Sequence, residues 1–402
     1  MGYGLFETVN RRGRARRQID DPSNRVQIKV TSPKMVLMSG HTVPSLVELK
    51  RIATDNGLNQ LEAARAQVLE PGLRTLRTRR EQGLSATMQF TYRNPERSTD
   101  PSRTLANAQT LLVASRAYGE PLSESEESPP GPNHGKVARY AVEDPYTPLR
   151  IGLGAIADRL KQAGYKAVVV ADSNALVDRN TAWLAGLGWY GKNTMMMNRS
   201  LGSWFVVGTV ITDAYYSVKT TTVADGCATC TACLDACPTG AIVGPGVLDA
   251  RRCIAWLVQA GESVPESFRT AVGDRIYGCD ICQDVCPPNR VVELKKGRSA
   301  NTNNPVDAES VKNSDLVDLE WVLRAGDEEL MAELGHWYIA NRDPDVIRRT
   351  ALVVLGNVGD PSNPTTLQLV KPYLDHGNPM LVEHAKWAVD QLANNSNPPA
   401  QP

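Results

Sequence analysis

Apolar and polar positions recur along this chain with two periods, and the switches between them mark out its elements. Over residues 45–57, Leu46, Leu49 and Ile52 fall on one helical face, and Leu153, Ile156, Leu160 and Ala163 repeat that spacing later. The apolar run Thr110–Ala117 predicts a strand, and residues 166–171, reading KAVVVA, predict a second, buried one. A helix is expected over 176–187. Residues 194–198 and 203–212 alternate with period two around Arg199, Ser200, Leu201 and Gly202, the pattern of a β-hairpin. Residues 121–134, crowded with Ser, Glu, Pro and Gly, carry neither period and read as an exposed loop. Near the C-terminus, residues 346–358, 366–374 and 380–392 are amphipathic helices broken by Gly-Asp-Pro and Gly-Asn-Pro turns. They resemble HEAT-like repeats, too few to stand alone, that should borrow the core of the rest of the chain.

At 402 residues and 42% hydrophobic content, the chain is long enough for two or three packed domains, the first of them α/β (α+β). The 44 basic and 44 acidic residues cancel, so any nucleic-acid contact must come from a local patch. The cluster Arg11, Arg12, Arg14, Arg16 and Arg17 lies in a polar N-terminal stretch with no apolar period, read as a poorly ordered extension. No signal-peptide core follows Met1 and no stretch of eighteen apolar residues occurs, which points to a cytoplasmic chain without a membrane span. Arg348 and Arg349, adjacent on a helix, offer phosphate contacts or simply a solvated face.

The eight cysteines change the picture most. Cys227, Cys230, Cys233 and Cys237 follow the spacing C-x2-C-x2-C-x3-C with Pro238 behind them; Cys253 stands alone; Cys279, Cys282 and Cys286 end in Pro287. This is the bacterial ferredoxin spacing, in which the fourth thiolate reaches across to the other cluster. Crossed ligation predicts one 4Fe-4S cluster on Cys227, Cys230, Cys233 and Cys286, and a second on Cys237, Cys253, Cys279 and Cys282. Zinc is the alternative that Cys-x2-Cys pairs always raise, but a zinc site needs neither the third cysteine nor the cross-reaching fourth.

Asp172 closes the buried run 166–171, and an acid at a strand end of an α/β sheet faces the crevice where ligands bind. Its competing role is the N-cap of the helix expected next. No histidine lies between His134 and His336, so acid–base chemistry in the cysteine-bearing half falls to a carboxylate or tyrosine. The turn AGLGWYGKN at 185–193 is too irregular for a dinucleotide or P-loop fingerprint, and its place before the cysteines sets it and Asp172 near the iron.

Taken in order, ADSNALVDR, AGLGWYGKN, GSWFVVG, CATCTACLDACPTGAI and YGCDICQDVCPPN resemble the epoxyqueuosine reductase family, and the resemblance runs from about Asn56 to the C-terminus. It implies a cobalamin-dependent iron–sulfur enzyme, related in chemistry to reductive dehalogenases, that reduces epoxyqueuosine in the tRNA anticodon loop to queuosine. An external donor such as flavodoxin or ferredoxin would feed electrons through the two clusters to cobalamin. Asp172 matches the family's proton donor and Arg97 a cobalamin-contacting arginine, while Ala138, Met196, Val207 and Ala255 align with further corrin contacts. The implied organisation is an extension over 1–42, an α/β cobalamin-binding domain over 43–215, a ferredoxin-like two-cluster domain over 216–300 and a HEAT-like helical region over 301–402 that contacts tRNA, in a monomer.

One departure stands out. After Ala138-Arg139-Tyr140-Ala141 the family continues Trp-Gly-Arg-Asp-Tyr-His, whereas this chain has Val142-Glu143-Asp144-Pro145-Tyr146-Thr147. Only the tyrosine is kept, and a basic residue has become Asp144, which would repel phosphate. Two further readings therefore stay open: a paralogous cobalamin and iron–sulfur reductase of another substrate, and a dicluster electron-transfer protein without chemistry of its own.

Overall fold

The computed structural model describes residues 42–118, 133–218, 223–300 and 315–396. The N-terminal basic cluster and most of the 121–134 loop lie outside them.

A four-stranded sheet runs in the order Gln60–Arg65, Thr110–Ala117, Phe205–Thr212, Ala167–Ala171, with every neighbouring pair antiparallel. The mixed fold is thus α+β in kind. Both faces of this sheet are covered, which is why its inner strands read as continuous apolar runs. Side chains alternate across the pleat: Leu112, Ala114, Val206 and Val210 pack against Leu49, Leu153, Ile156 and Leu160 on one face. Leu111, Val113, Phe205, Val207 and Ile211 pack against Leu176, Ala182 and Leu187 on the other. The first face is closed by the helices Leu46–Asp55 and Tyr146–Gln162. The shorter helix begins where Ser45 accepts the Glu48 amide at 3.1 Å, a cap that Leu46, Leu49 and Ile52 then follow into the core. Truncating the fully buried Leu153 to Ala would cost about 2–5 kcal/mol in lost burial and cavity.

The expected hairpin over 194–212 does not form. Phe205–Thr212 is an inner strand, buried at all eight positions, and pairs with Thr110–Ala117 and Ala167–Ala171. Met196–Met197 pairs instead with Trp189–Tyr190, and a lone bridge, Asn198 to Gly202, is what remains of the turn. A strand apolar on both faces needs cover and neighbours on both sides, and a two-stranded hairpin provides neither. The helix expected over 176–187 is shorter, Asp178–Leu184, ending before Gly186 at φ 77°.

A second sheet draws on distant parts of the chain. His134–Val137 is its middle strand, parallel to Arg275–Tyr277 and antiparallel to Leu316–Asp318. The helices Asp345–Val358, Pro364–Leu374 and Pro379–Ser396 pack behind it, and one core joins Val137, Ile254, Val272 and Tyr277 to Leu352, Val370 and Leu381. The first helix of these three is buried along almost its whole length. That burial overturns both expectations for its arginines. Arg349 is 0% exposed and donates to the carbonyls of Leu257, Val258, Ala260 and Glu262, while Arg348 pairs with Asp327 and Asp345 and donates to the Ala325 carbonyl. Neither is a solvated face or free for phosphate: both staple the helix to the chain around it. Among the described residues no helix is long and apolar enough to cross a membrane.

Candidate active site and cysteine cavity

All eight cysteines are free thiols. Cys227, Cys230, Cys233 and Cys286 line one cavity of about 130 Å³, so the fold brings the last cysteine of the chain to the first three. Gly191, Lys192 and Asn193 border the same cavity. Lys192 Nζ donates to the carbonyls of Ala228 (2.7 Å) and Cys230 (2.8 Å), and Asn193 Nδ2 donates to the Cys282 carbonyl (3.2 Å). The glycine-rich turn thereby clamps both cysteine runs, and it is glycine-rich for a steric reason: a Cβ on Gly188 would sit 2.0 Å from the Met197 carbonyl oxygen.

The other four cysteines also interact. Burial pushes the Cys279 thiol up to about 12 and raises Cys282 further, with Cys253 acting on both; Cys253 is itself raised by burial and by Cys237. Cys237 goes the other way: burial opposes it, but hydrogen bonds from Thr239, Ala241 and Ile242 prevail and lower it. Among the described residues no three His, Cys, Asp or Glu side chains converge closely enough for a single ion. Thiols that surround a volume rather than a point fit a cuboidal cluster.

Asp172 follows the strand Ala167–Ala171 with φ 49°, a left-handed backbone that costs an L residue about 1–3 kcal/mol and marks a functional turn. Asp178 Oδ2 accepts the Asp172 amide at 3.2 Å, and Ser98 Oγ (2.6 Å) and Arg97 Nη1 (3.3 Å) both donate to the Asn174 carbonyl, so the turn is held from two sides. Asp172 does not cap the next helix, which begins behind Val177 without a side-chain cap. It lines a pocket of about 210 Å³ with Phe90, Tyr140, Tyr146, Tyr277 and His336. Asp172 is exposed at the pocket wall, and partial burial of its carboxyl raises it, with Arg150 opposing and Asp144 adding to the rise. The crevice argument from parallel sheets does not apply here, since the sheet is antiparallel; the left-handed turn aims the acid.

Asp144 is spent locally. Its carboxylate accepts the amides of Tyr146 (2.9 Å) and Thr147 (3.2 Å) and the Thr147 hydroxyl at the start of Tyr146–Gln162. Burial opposes ionisation, yet these bonds hold the carboxyl below its usual range, and the helix N-terminus offsets its charge.

Several pocket residues were not legible in chain order. His336 lies in the pocket wall, Nε2 3.3 Å from the Ala141 carbonyl and Nδ1 3.1 Å from that of Glu333, so an imidazole shares the pocket that Asp172 lines. Tyr277 stacks on Trp337 at 4.3 Å between ring centroids, Trp337 Nε1 donates to the Ala141 carbonyl (3.1 Å), and Gln259 Nε2 donates to the Tyr140 hydroxyl (2.8 Å). Aromatic residues widely separated in sequence are ordinarily core, and nothing local distinguishes these from it.

Of the residues aligned with corrin contacts, the structure brings Arg97 to the Asp172 turn. Ala138 is buried, its amide bonded to the Tyr277 carbonyl (2.8 Å); Met196 and Val207 are buried in the core under the sheet; Ala255 is half-buried in Ile254–Leu257. These four lie outside the lining of the Asp172 pocket. Arg179 lies within electrostatic reach of both regions, acting on Tyr146 and Asp178 on the acid side and on Cys253 on the cysteine side. Among buried polar atoms without a partner in the protein are the indole nitrogens of Trp189, which packs on Gly226 at the start of the cysteine run, and of Trp204, under the Arg139 guanidinium. Unpaired donors beside apolar walls suit the amide-fringed edge of a corrin.

Comparison with known proteins agrees with this geometry. The family model of a 4Fe-4S double cluster binding domain matches residues 226–289. The chain is 31% identical to the epoxyqueuosine reductase of Vibrio cholerae over 79% of its own length and 84% of that protein, and 30% identical to that of Lactococcus garvieae over 86% and 96%. A solved epoxyqueuosine reductase bound to an epoxyqueuosine-modified tRNA-Tyr stem loop superposes with a TM-score of 0.75 at 26% identity, covering 87% of this chain and 90% of that one. The Bacillus subtilis enzyme, solved with its catalytic aspartate loop swung out of the active site, gives the same score over 87% and 91%. With the cysteine cavity, the acid-bearing pocket and this similarity over most of its length, the chain belongs to the epoxyqueuosine reductase family.

Proposed function

We propose that this protein reduces epoxyqueuosine in tRNA to queuosine, with Asp172 as the acid that protonates the epoxide oxygen. The observation that carries the reading is a raised carboxyl on a constrained turn, lining a pocket beside a double-cluster domain. Cys227, Cys230, Cys233 and Cys286 would hold one 4Fe-4S cluster and Cys237, Cys253, Cys279 and Cys282 the other. Arg97, Ala138, Met196, Val207 and Ala255, with Asp172, would hold cobalamin. When bound, these groups supply low-potential electrons for carbon–oxygen cleavage.

The chain's own residues then do the rest. Burial keeps the Asp172 carboxyl protonated closer to neutral pH than an ordinary aspartate, which is what a general acid at Oδ1 or Oδ2 requires. Tyr277, Trp337 and Tyr140 line the pocket with aromatic surface against which a substrate base would seat. Asp144 also lines this pocket, and its bonds to the start of its own helix offset part of its charge there. The HEAT-like C-terminal helices would contact the tRNA, an external donor such as flavodoxin or ferredoxin would deliver electrons, and the protein would act as a cytoplasmic monomer.

The test is anaerobic incubation of protein with reconstituted clusters, cobalamin, a strong reductant and epoxyqueuosine-bearing tRNA, with nucleosides read by mass. Queuosine is the expected product. Failure with cobalamin demonstrably bound would favour a paralogue for another substrate, the reading that the altered 142–147 segment supports; failure to retain cobalamin at all would leave a dicluster electron carrier.

A further inference from the structure

Removing an epoxide oxygen to leave an alkene consumes two electrons and two protons and releases water. The first proton converts the cleaved C–O bond to a hydroxyl as the ring opens. The second lets that oxygen leave as water while the carbon–carbon double bond forms. The external reductant supplies the electrons, but one carboxyl holds only one proton. If Asp172 delivers the first, a second group must deliver the other or restore the proton to Asp172.

Asp178 stands where such a group is needed. It opens the helix Asp178–Leu184, and its Oδ2 accepts the Asp172 amide at 3.2 Å, directly behind the left-handed turn. Its other oxygen, Oδ1, is buried and has no hydrogen-bond partner. A carboxylate with one oxygen stranded away from water is a costly anion, whereas a carboxylic acid with its proton on that oxygen is a donor waiting for an acceptor. The groups facing it are Asp172, which opposes ionisation, and Arg179 and Arg150, which favour it, with the Tyr146 hydroxyl also within its field. Burial prevails and pushes its carboxyl up to about 8, so the proton is held at neutral pH.

We propose that Asp178 is a positioning residue that also carries a proton. It fixes Asp172 through its backbone amide, and it supplies the proton that recharges Asp172 within one turnover. This rests on the assignment of Asp172 as the acid. It assigns two aspartates, six positions apart, the two protons that the chemistry demands.

The experiment compares wild type with Asp178→Asn, which can still accept the Asp172 amide but carries no acidic proton, and with Asp172→Asn. In loaded enzyme before substrate and reductant are added, the infrared band of a protonated carboxyl at pH 7 should diminish in Asp178→Asn. In loaded enzyme with epoxyqueuosine stem loop, Asp178→Asn should lower kcat about 10- to 100-fold with KM little changed. The wild-type fall in rate near pH 8 should also be lost from its profile. An unchanged carboxyl band, or a kcat profile identical to wild type while Asp172→Asn is impaired, would overturn the proposal. If Asp172→Asn itself turned over normally, the fault would lie with the assignment of Asp172. Should Asp178→Asn misfold, Asp178→Glu restores the proton, and rescue of kcat by Glu but not by Gln separates proton supply from shape.

Discussion

Single residues here are set by their surroundings more than by their type. Asp144, Asp172 and Asp178 are three aspartates within one stretch of chain: the first is held low by amides at a helix start, and the other two are raised by burial. Replacing Asp172 by Asn should leave the visible absorbance of clusters and corrin intact while lowering kcat at least about 100-fold, because shape is kept and the proton removed. Asp178 should also mark the stability curve. Its folded value near 8 lies above the unfolded one of about 4, so the unfolded chain releases the proton first, and stability falls as pH rises between the two. Urea midpoints measured from pH 5 to 8.5 should decline more in wild type than in Asp178→Asn.

At the level of elements, the helix Asp345–Val358 shows how a polar side chain can anchor packing. Arg349 converges on four carbonyls of the segment after Cys253, joining the C-terminal helices to the cysteine region. Burial lowers the guanidinium to about 10, so it still carries its charge at neutral pH. Arg349→Met keeps most of the volume but strands those acceptors, and should cost about 3–5 kcal/mol in a urea titration. The cysteine-bearing element is the converse case. Beyond the shared core, its own apolar cluster consists of just Ala250, Trp256 and Ala260 among the buried residues described. Such a segment is expected to gain order from bound iron, and Cys286→Ser, which removes one thiol from the shared cavity, should release roughly half of the iron.

In the whole molecule, stability is divided unevenly. The four-stranded sheet is covered on both faces by its own helices, whereas residues 226–289 lean on clusters and on the C-terminal helices. Iron removal should therefore leave amide exchange slow in Thr110–Ala117 and Phe205–Thr212 and make it fast around Cys227–Cys237, as hydrogen-exchange mass spectrometry would read. Loss of protection in the sheet as well would mean that the clusters hold the entire fold. The second sheet, with strands from three distant segments, ties the pocket wall to both: Tyr277 ends one strand, and Tyr140 and Ala141 lie in the short helix that follows another.

Sequence alone determined what depends on local spacing. The cysteine pattern, the strands at 110–117 and 166–171, the amphipathic helices and the acid after KAVVVA are all legible because ligand spacing, the 2.0 and 3.6 periods and strand ends are short-range properties. Tertiary structure decided what depends on neighbours distant in the chain. It made Phe205–Thr212 an inner strand instead of half a hairpin, since pairing partners are not encoded in a strand's own alternation. It buried Arg348 and Arg349, brought His336 into the wall of the pocket that Asp172 lines, and set Asp178 behind the acid with one oxygen unpaired. Burial is a property of what packs around a group, so the protonation states on which the proposed chemistry turns exist only once the chain has folded.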